Sequence, residues 1–118
     1  MAPALAAQVD TSWEIEHIPD EDLLYMRVHK TYCRDSKLAP IAFRDHEGGM
    51  STDWSRYARP EQTRDRAKDP SKNAVVSMGV ERVRAIQGLQ VVHSPLHDNR
   101  AHTNVIGEKR WRFVLYSF

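Results

Sequence analysis

The sequence predicts an α+β fold: a compact single domain with a bent or split, mainly antiparallel sheet of short strands and two or three small helices. Short extended segments outnumber helical ones, and long helices do not separate them, which argues against a doubly wound parallel sheet. The 118 residues, 41% apolar and 28% charged, suffice for one hydrophobic core. We place the domain at 13–118, after a flexible N-terminal segment at 1–12 of small, weakly apolar residues.

One strand dominates the first half of the predicted domain. At 23–30, apolar and polar side chains alternate, so they point to opposite faces of a sheet. A short edge strand at 13–18 precedes it, and a hairpin or wider loop at 34–37 follows it. A two-glycine turn at 45–49 leads to residues 51–53, whose polar side chains are suited to cap a short helix.

The second half contains the other predicted helices. Pro60 suits the first turn of a helix at 60–68, which has almost no apolar face and should lie on the surface or guard an opening. An apolar run at 74–78 predicts a central strand, and an amphipathic helix follows at 80–86. Three more strands are predicted at 90–93, 101–106 and 110–117.

Charge and cysteine content limit the classes of partner. The chain has 17 basic and 16 acidic residues and a formal charge of +1, so we expect no duplex nucleic acid as partner. The lone Cys33 excludes an intramolecular disulfide and a multi-cysteine zinc site. No apolar run approaches the roughly 20 residues that span a bilayer, and the first residues lack a signal-peptide pattern. We therefore expect no membrane association and a cytoplasmic location.

The polar face of the strand at 23–30 is the first candidate binding surface. Tyr25, Arg27 and His29 point the same way and combine a phenol, a guanidinium and an imidazole. Such a row of donors is suited to the wall of an anion-binding pocket. The alternative is an ordinary solvated face of a sheet.

The loop at 96–103 is the second candidate. Arg100 offers a forked donor to a phosphate or a nucleotide sugar, and His102 and Thr103 supply further donors. The alternative is a polar surface loop without a ligand.

Histidines recur across the stretch 93–102, which raises the question of a metal. Imidazole and carboxylate are common metal ligands, but Pro95 precludes a regular helix here and no metal-binding motif is present. We assign no metal ligand, and whether this stretch binds a metal stays open.

The segment 50–57 is the third candidate. The hydroxyls of Ser51 and Thr52 follow the glycine turn, and Trp54 and Tyr57 have helical spacing. Their rings could form a floor on which a flat ring of a ligand stacks. The alternative is that both aromatic side chains pack in the core.

These motifs resemble those of ADP-ribosyltransferase-type domains, which hold NAD in a cleft of a split, bent sheet. His29-Lys30-Thr31 resembles the His-Gly-Thr or His-Gly-Ser motif on the first core strand of that family, with Lys30 in place of glycine. The resemblance implies that His29 and Thr31 bind the nicotinamide-side ribose.

Later motifs extend the resemblance. Ser51, Thr52 and Tyr57 resemble the family's second element, which packs around nicotinamide, and His102 or Thr103 stands where a late strand carries Glu or another polar residue. The order of the segments 18–22, 50–54 and 99–102 also resembles small uncharacterised bacterial proteins, and that likeness implies no activity.

The leading hypothesis is a small cytoplasmic protein whose polar cleft binds a phosphorylated or nucleotide-like ligand, with NAD as the candidate cofactor. A more specific hypothesis is ADP-ribosyl-type transfer. In it Arg27 holds phosphate, Thr31 assists His29 at the ribose, Tyr57 packs on the flat base and His102 is the acid or base. His29 and His102 are the predicted catalytic residues, since imidazole exchanges protons near neutral pH.

The competing hypothesis is a non-catalytic protein–protein interaction module. In that case the helix at 60–68 meets a protein partner, and the polar residues of the candidate surfaces are structural. One geometric test separates the two hypotheses: a ligand site requires Arg27, His29 and His102 to converge around a single concave pocket.

Overall fold

A five-stranded antiparallel sheet forms the centre of the computed structural model, which describes residues 13–34, 37–38 and 49–107. Its strands are β1 (Leu23–His29), β4 (Met50–Trp54), β5 (Asn73–Gly79), β6 (Gln90–His93) and β7 (His102–Ile106). They lie in the order β5-β1-β4-β7-β6. Two short strands, β2 (Cys33–Arg34) and β3 (Lys37–Leu38), pair with each other as a separate antiparallel ribbon.

Two short helices and two 3-10 turns accompany the sheet. The helices are α1 (Pro60–Asp65) and α2 (Val80–Arg84), and the turns lie at Lys30–Tyr32 and Pro70–Lys72. The predicted α+β class, with a mainly antiparallel sheet of short strands and small helices, is therefore confirmed. None of the helices in the described ranges is long and apolar enough to span a membrane.

Local sequence explains the start of α1 and the buried face of α2. Pro60 pre-sets the first turn of α1, and the side chain of Gln62 accepts a hydrogen bond of 2.8 Å from the backbone N–H of Arg59. That bond satisfies one of the N–H groups that a helix start leaves unpaired. In α2, Val80 and Val83 lie three residues apart on one side of the helix and are buried in the core.

Strand β1 alternates as the sequence predicts. Leu24, Met26 and Val28 are buried, Tyr25 is half-buried, and Arg27 and His29 are exposed. β1 pairs with β5 along its whole length and with β4 at one end. One face of the strand therefore packs in the core, and the other carries the polar side chains.

The segment before β1 closes the core instead of extending the sheet. Residues 13–18 form no strand, contrary to the prediction of an edge strand there. Ile18 is 1% exposed and joins the core. A guanidinium nitrogen of Arg84, on α2, donates to the Ile18 carbonyl at 2.6 Å and to the Asp20 carboxylate at 2.7 Å. These bonds fasten the segment to α2.

Two further predictions about the elements are wrong. Residues 51–53 do not cap a helix; they lie in β4, where the backbone pairs with β7 and the Thr52 hydroxyl donates to the Thr103 carbonyl at 2.9 Å. The hydrogen bonds between the strands thus use the backbone and hydroxyl groups that a helix cap would need. The run at 74–78 is not central, since β5 lies at an edge of the sheet. The predicted strand at 110–117 lies outside the described residues.

Candidate functional site

A cleft of about 1010 Å³ lies on the polar face of the sheet. The sheet forms its floor, and Thr63 of α1, Arg66 and the loop at 96–99 line it as well. Many of the predicted site residues line the cleft, namely Tyr25, Arg27, His29, Thr31, Ser51, Thr52 and His102. The structure therefore brings Arg27, His29 and His102 to one concave surface, as a ligand site requires.

Strand register explains how the cleft assembles. Tyr25 of β1 pairs with Asp53 of β4, and Asp53 pairs with His102 of β7, so these three side chains lie abreast on one face. Arg27 and His29 follow Tyr25 on that face at two-residue steps. Since a strand rises about 3.3 Å per residue, His29 lies roughly 13 Å along β1 from the row that contains His102.

Several polar groups of the cleft have no partner in the described part of the chain. No hydrogen bond or ion pair joins the Arg27 guanidinium, the Tyr25 phenol or the Ser51 hydroxyl to another described residue. Arg27 and Ser51 are exposed, so neither side chain is needed for packing. These groups can therefore bind a ligand without breaking a hydrogen bond or ion pair to another described residue.

The backbone turn after β1 holds His29 in place. Its Nδ1 accepts a hydrogen bond of 3.2 Å from the Thr31 backbone N–H and lies 2.9 Å from the Thr31 hydroxyl oxygen. His29 thereby caps the turn at Lys30–Tyr32, and its ring meets that of Tyr32 edge-on at 6.5 Å. The pairing of a histidine with a hydroxyl two residues later is thus a local structural unit at the rim of the cleft.

Asp53 anchors one end of the cleft. Its carboxylate is buried and accepts hydrogen bonds from the Thr63 hydroxyl at 2.7 Å and the Asn99 side-chain amide at 2.8 Å. Arg66 Nε lies 3.4 Å from the same carboxylate. One acidic side chain therefore ties helix α1 and the loop at 96–99 to the sheet. Sequence reasoning missed this role because the partners come from two other segments, around α1 and in the loop at 96–99, and share no motif with Asp53.

Two predicted ligand-binding residues are core residues instead. Trp54 is 1% exposed and its Nε1 donates to the Asp22 carboxylate at 2.8 Å. Thr103 is fully buried, and its hydroxyl donates to the Ala101 carbonyl at 3.0 Å. Each residue follows a cleft residue along its strand and so points to the opposite face. Thr52 lies on that face as well: it borders the cleft, but it is 2% exposed and its hydroxyl donates to the Thr103 carbonyl.

Tyr57 and Arg100 also lie outside the cleft, contrary to their predicted role there. They belong to an aromatic cluster on the core side of the sheet, where the Arg100 guanidinium lies 4.0 Å from the Tyr57 ring centre and 4.8 Å from that of Trp13. The Tyr57 hydroxyl donates to the Glu16 carboxylate at 2.6 Å. This cluster fastens the segment at 13–18 to the sheet.

The aromatic cluster has a pH dependence that can be measured. The hydrogen bond from Tyr57 holds the pKa of Glu16 below its ordinary value of 4.5, against an opposing effect of burial, and Arg100 adds to the lowering. A carboxyl whose pKa is lowered by folding stabilises the protein above its unfolded pKa and loses that effect as pH falls through the folded pKa. In Glu16→Gln we therefore expect a shallower loss of unfolding free energy below about pH 4.5 than in the wild type.

Urea unfolding at a series of pH values checks this expectation. Glu14→Gln is the matched control, since Glu14 is exposed and carries the same charge. If the unfolding free energy depended on pH equally in the two variants, the conclusion that folding lowers the pKa of Glu16 would be contradicted.

The described residues give no metal site. They contain no group of three or more His, Cys, Asp or Glu side chains placed to hold an ion. Both ring nitrogens of His93 are occupied: Nδ1 accepts from the Glu16 backbone N–H at 2.9 Å, and Nε2 lies 2.7 Å from the Arg100 carbonyl. Burial raises the pKa of the Cys33 thiol, which disfavours the nucleophilic thiolate.

Comparisons with protein-family models, curated proteins and solved structures find no match for this chain. What the cleft can do chemically follows from its own groups. Along one face it offers a guanidinium, a phenol, a hydroxyl and the His29 imidazole, which is a set of donors suited to an anionic, oxygen-rich ligand. The other imidazole, His102, has its Nδ1 already hydrogen-bonded to the Ser94 carbonyl.

Proposed function

We propose that this protein binds a phosphorylated or nucleotide-like ligand in the cleft. The observation that carries the proposal is Arg27, a permanently charged side chain on the cleft wall with no partner among the described residues. Arginine binds phosphate oxygens through paired N–H donors. His29 lies two residues further along the same face, so it can donate to the same anionic group.

The size of the cleft supports a ligand as large as a dinucleotide. Its volume of about 1010 Å³ is at the upper end of the range of about 300–1,000 Å³ that is usual for small-molecule sites. NAD is therefore a candidate cofactor, and ADP-ribosyl-type transfer is the more specific form of the proposal. In that form Tyr25, which lines the cleft, replaces Tyr57 as the ring that packs on the flat base.

A cytoplasmic location is part of the proposal. Nucleotides and NAD are abundant in that compartment, and a single cysteine does not require an oxidising one.

A thermal-shift screen with NAD, ADP-ribose, mononucleotides and inorganic pyrophosphate tests the proposal. A ligand present at 100 times its dissociation constant should stabilise the fold by roughly 2.7 kcal/mol. In Arg27→Ala we expect the stabilisation to disappear, while the unliganded protein stays within about 1 kcal/mol of the wild type because Arg27 is exposed.

Arg64→Ala is the control for the loss of one positive charge. Arg64 is exposed, its ion-pair partner among the described residues is the neighbouring Asp65, and it does not line the cleft. It should keep the full ligand response. A screen in which no phosphorylated compound shifts the wild type would contradict the proposal and favour the protein–protein interaction module.

A further inference from the structure

The two histidines of the cleft are held by opposite kinds of backbone group. His29 Nδ1 faces the backbone N–H of Thr31 at 3.2 Å, and an N–H group can only donate. His102 Nδ1 faces the backbone carbonyl oxygen of Ser94 at 2.8 Å, and a carbonyl oxygen can only accept. The two Nδ1 atoms must therefore differ in protonation.

This difference fixes the tautomer of each neutral ring. A neutral imidazole has one N–H and one unprotonated nitrogen. Because His29 Nδ1 accepts, its proton is on Nε2. Because His102 Nδ1 donates, its Nε2 carries the lone pair. No described group is hydrogen-bonded to either Nε2 atom, so both remain available on side chains that line the cleft.

We propose that the cleft distinguishes the two ends of its ligand because the two tautomers offer a donor at one end and an acceptor at the other. His29 donates to the anionic end, beside Arg27, and His102 Nε2 accepts a hydrogen bond from a hydroxyl or amide N–H at the other end. The inference rests on the proposed function and narrows it. The ligand class is a phosphorylated nucleoside or sugar that carries a free hydroxyl or amide donor away from its phosphate.

The distance between His29 and His102 supports an elongated ligand that contacts one histidine with each end. His29 and His102 are separated by roughly 13 Å along the strands and by two strand spacings of about 4.8 Å across the sheet. Their Cα atoms are therefore about 16 Å apart. A single phosphate group placed between the two rings is too small to contact both of them. A ligand with the length of a nucleoside diphosphate can contact His29 with one end and His102 with the other.

Long-range ¹H–¹⁵N NMR spectra of the full chain test the tautomers directly. At about pH 8, where free imidazole is neutral, they distinguish protonated from unprotonated ring nitrogens. We expect the proton on Nε2 in His29 and on Nδ1 in His102, with the signals assigned by their loss in His29→Gln and His102→Asn. The same tautomer in both rings would overturn the inference, whether or not a ligand binds.

Matched ligands and variants test the role of His102. The probes are ADP and its 2′,3′-dideoxy form, which share the diphosphate and differ in hydroxyl donors. We expect the wild type to bind ADP about tenfold more tightly, the difference that one hydrogen bond makes. His102→Asn should abolish this preference, because its amide can still donate to the Ser94 carbonyl but nothing replaces the Nε2 acceptor. His102→Gln, whose amide oxygen reaches the Nε2 position, should keep part of it.

The outcomes separate this inference from the proposed function. If the wild type binds ADP but shows no preference over the dideoxy form, or if His102→Asn retains the preference, the inference fails and phosphate binding stands. If neither ADP, pyrophosphate nor any other phosphorylated probe binds, the proposed function itself fails. The inference that His29 and His102 contact opposite ends of one ligand then fails as well.

Discussion

Replacing Trp54 by alanine should cost about 3–5 kcal/mol of unfolding free energy, the range for removing a large aromatic side chain from a core. Trp54 is 1% exposed, and its ring meets those of Tyr57 and His93 edge-on at 5.2 and 5.1 Å. The substitution leaves a cavity and removes the donor to Asp22. Urea unfolding measures the effect, which is a large part of the 5–15 kcal/mol that usually stabilises a domain.

Trp54→Phe separates the two contributions. Phenylalanine retains most of the ring packing but lacks the Nε1 donor, so we expect a smaller cost of about 1–3 kcal/mol, the range for losing a hydrogen bond to a charged group, here the half-buried Asp22 carboxylate. An alanine variant within 1 kcal/mol of the wild type would show that β4 does not pack as the structure has it.

Replacing Asp53 by alanine should destabilise the protein by about 2–4 kcal/mol and abolish ligand-induced stabilisation. The buried carboxylate is the shared acceptor for Thr63 and Asn99, and Arg66 lies beside it. Without it, α1 and the loop at 96–99 lose their attachment to the sheet, and the cleft loses its shape. Arg66 is partly exposed, so most of the cost comes from the two buried donors.

Two comparisons make the Asp53 prediction specific. Thr63→Val removes one of the partners at similar volume and should cost less than Asp53→Ala. Hydrogen exchange of the α1 amides should accelerate in Asp53→Ala relative to the wild type, because the helix opens locally. Unchanged exchange in α1 would contradict the view that Asp53 anchors this helix.

The polar wall of the cleft could be predicted from the sequence because it depends on one strand. Alternation at period two places Arg27 and His29 opposite Met26 and Val28, whatever the neighbours of the strand are. The helix that begins at Val80 could be predicted for a similar reason, because the spacing of Val80 and Val83 is local information.

The residues around β4 show where local information fails. Polar residues after a glycine turn suit a helix cap, and aromatic side chains at helical spacing suit a helix, so the segment 50–57 favoured a helix over a strand. In the structure, backbone pairing with β1 and β7 extends the segment. Trp54 then points into the core, and Tyr57, beyond the end of the strand, joins the aromatic cluster.

Alternation along a single chain therefore determined which face each side chain of β1 occupies, and hence that Tyr25, Arg27 and His29 form one surface. Only the tertiary structure decided which residues of neighbouring strands lie beside that surface on the same face of the sheet. Tyr25, Asp53 and His102 lie abreast because β4 and β7 pair in a particular register. The physical reason is that interstrand hydrogen bonds join backbone groups far apart in sequence, so the alternation within one strand fixes its two faces but does not specify which strand pairs with it.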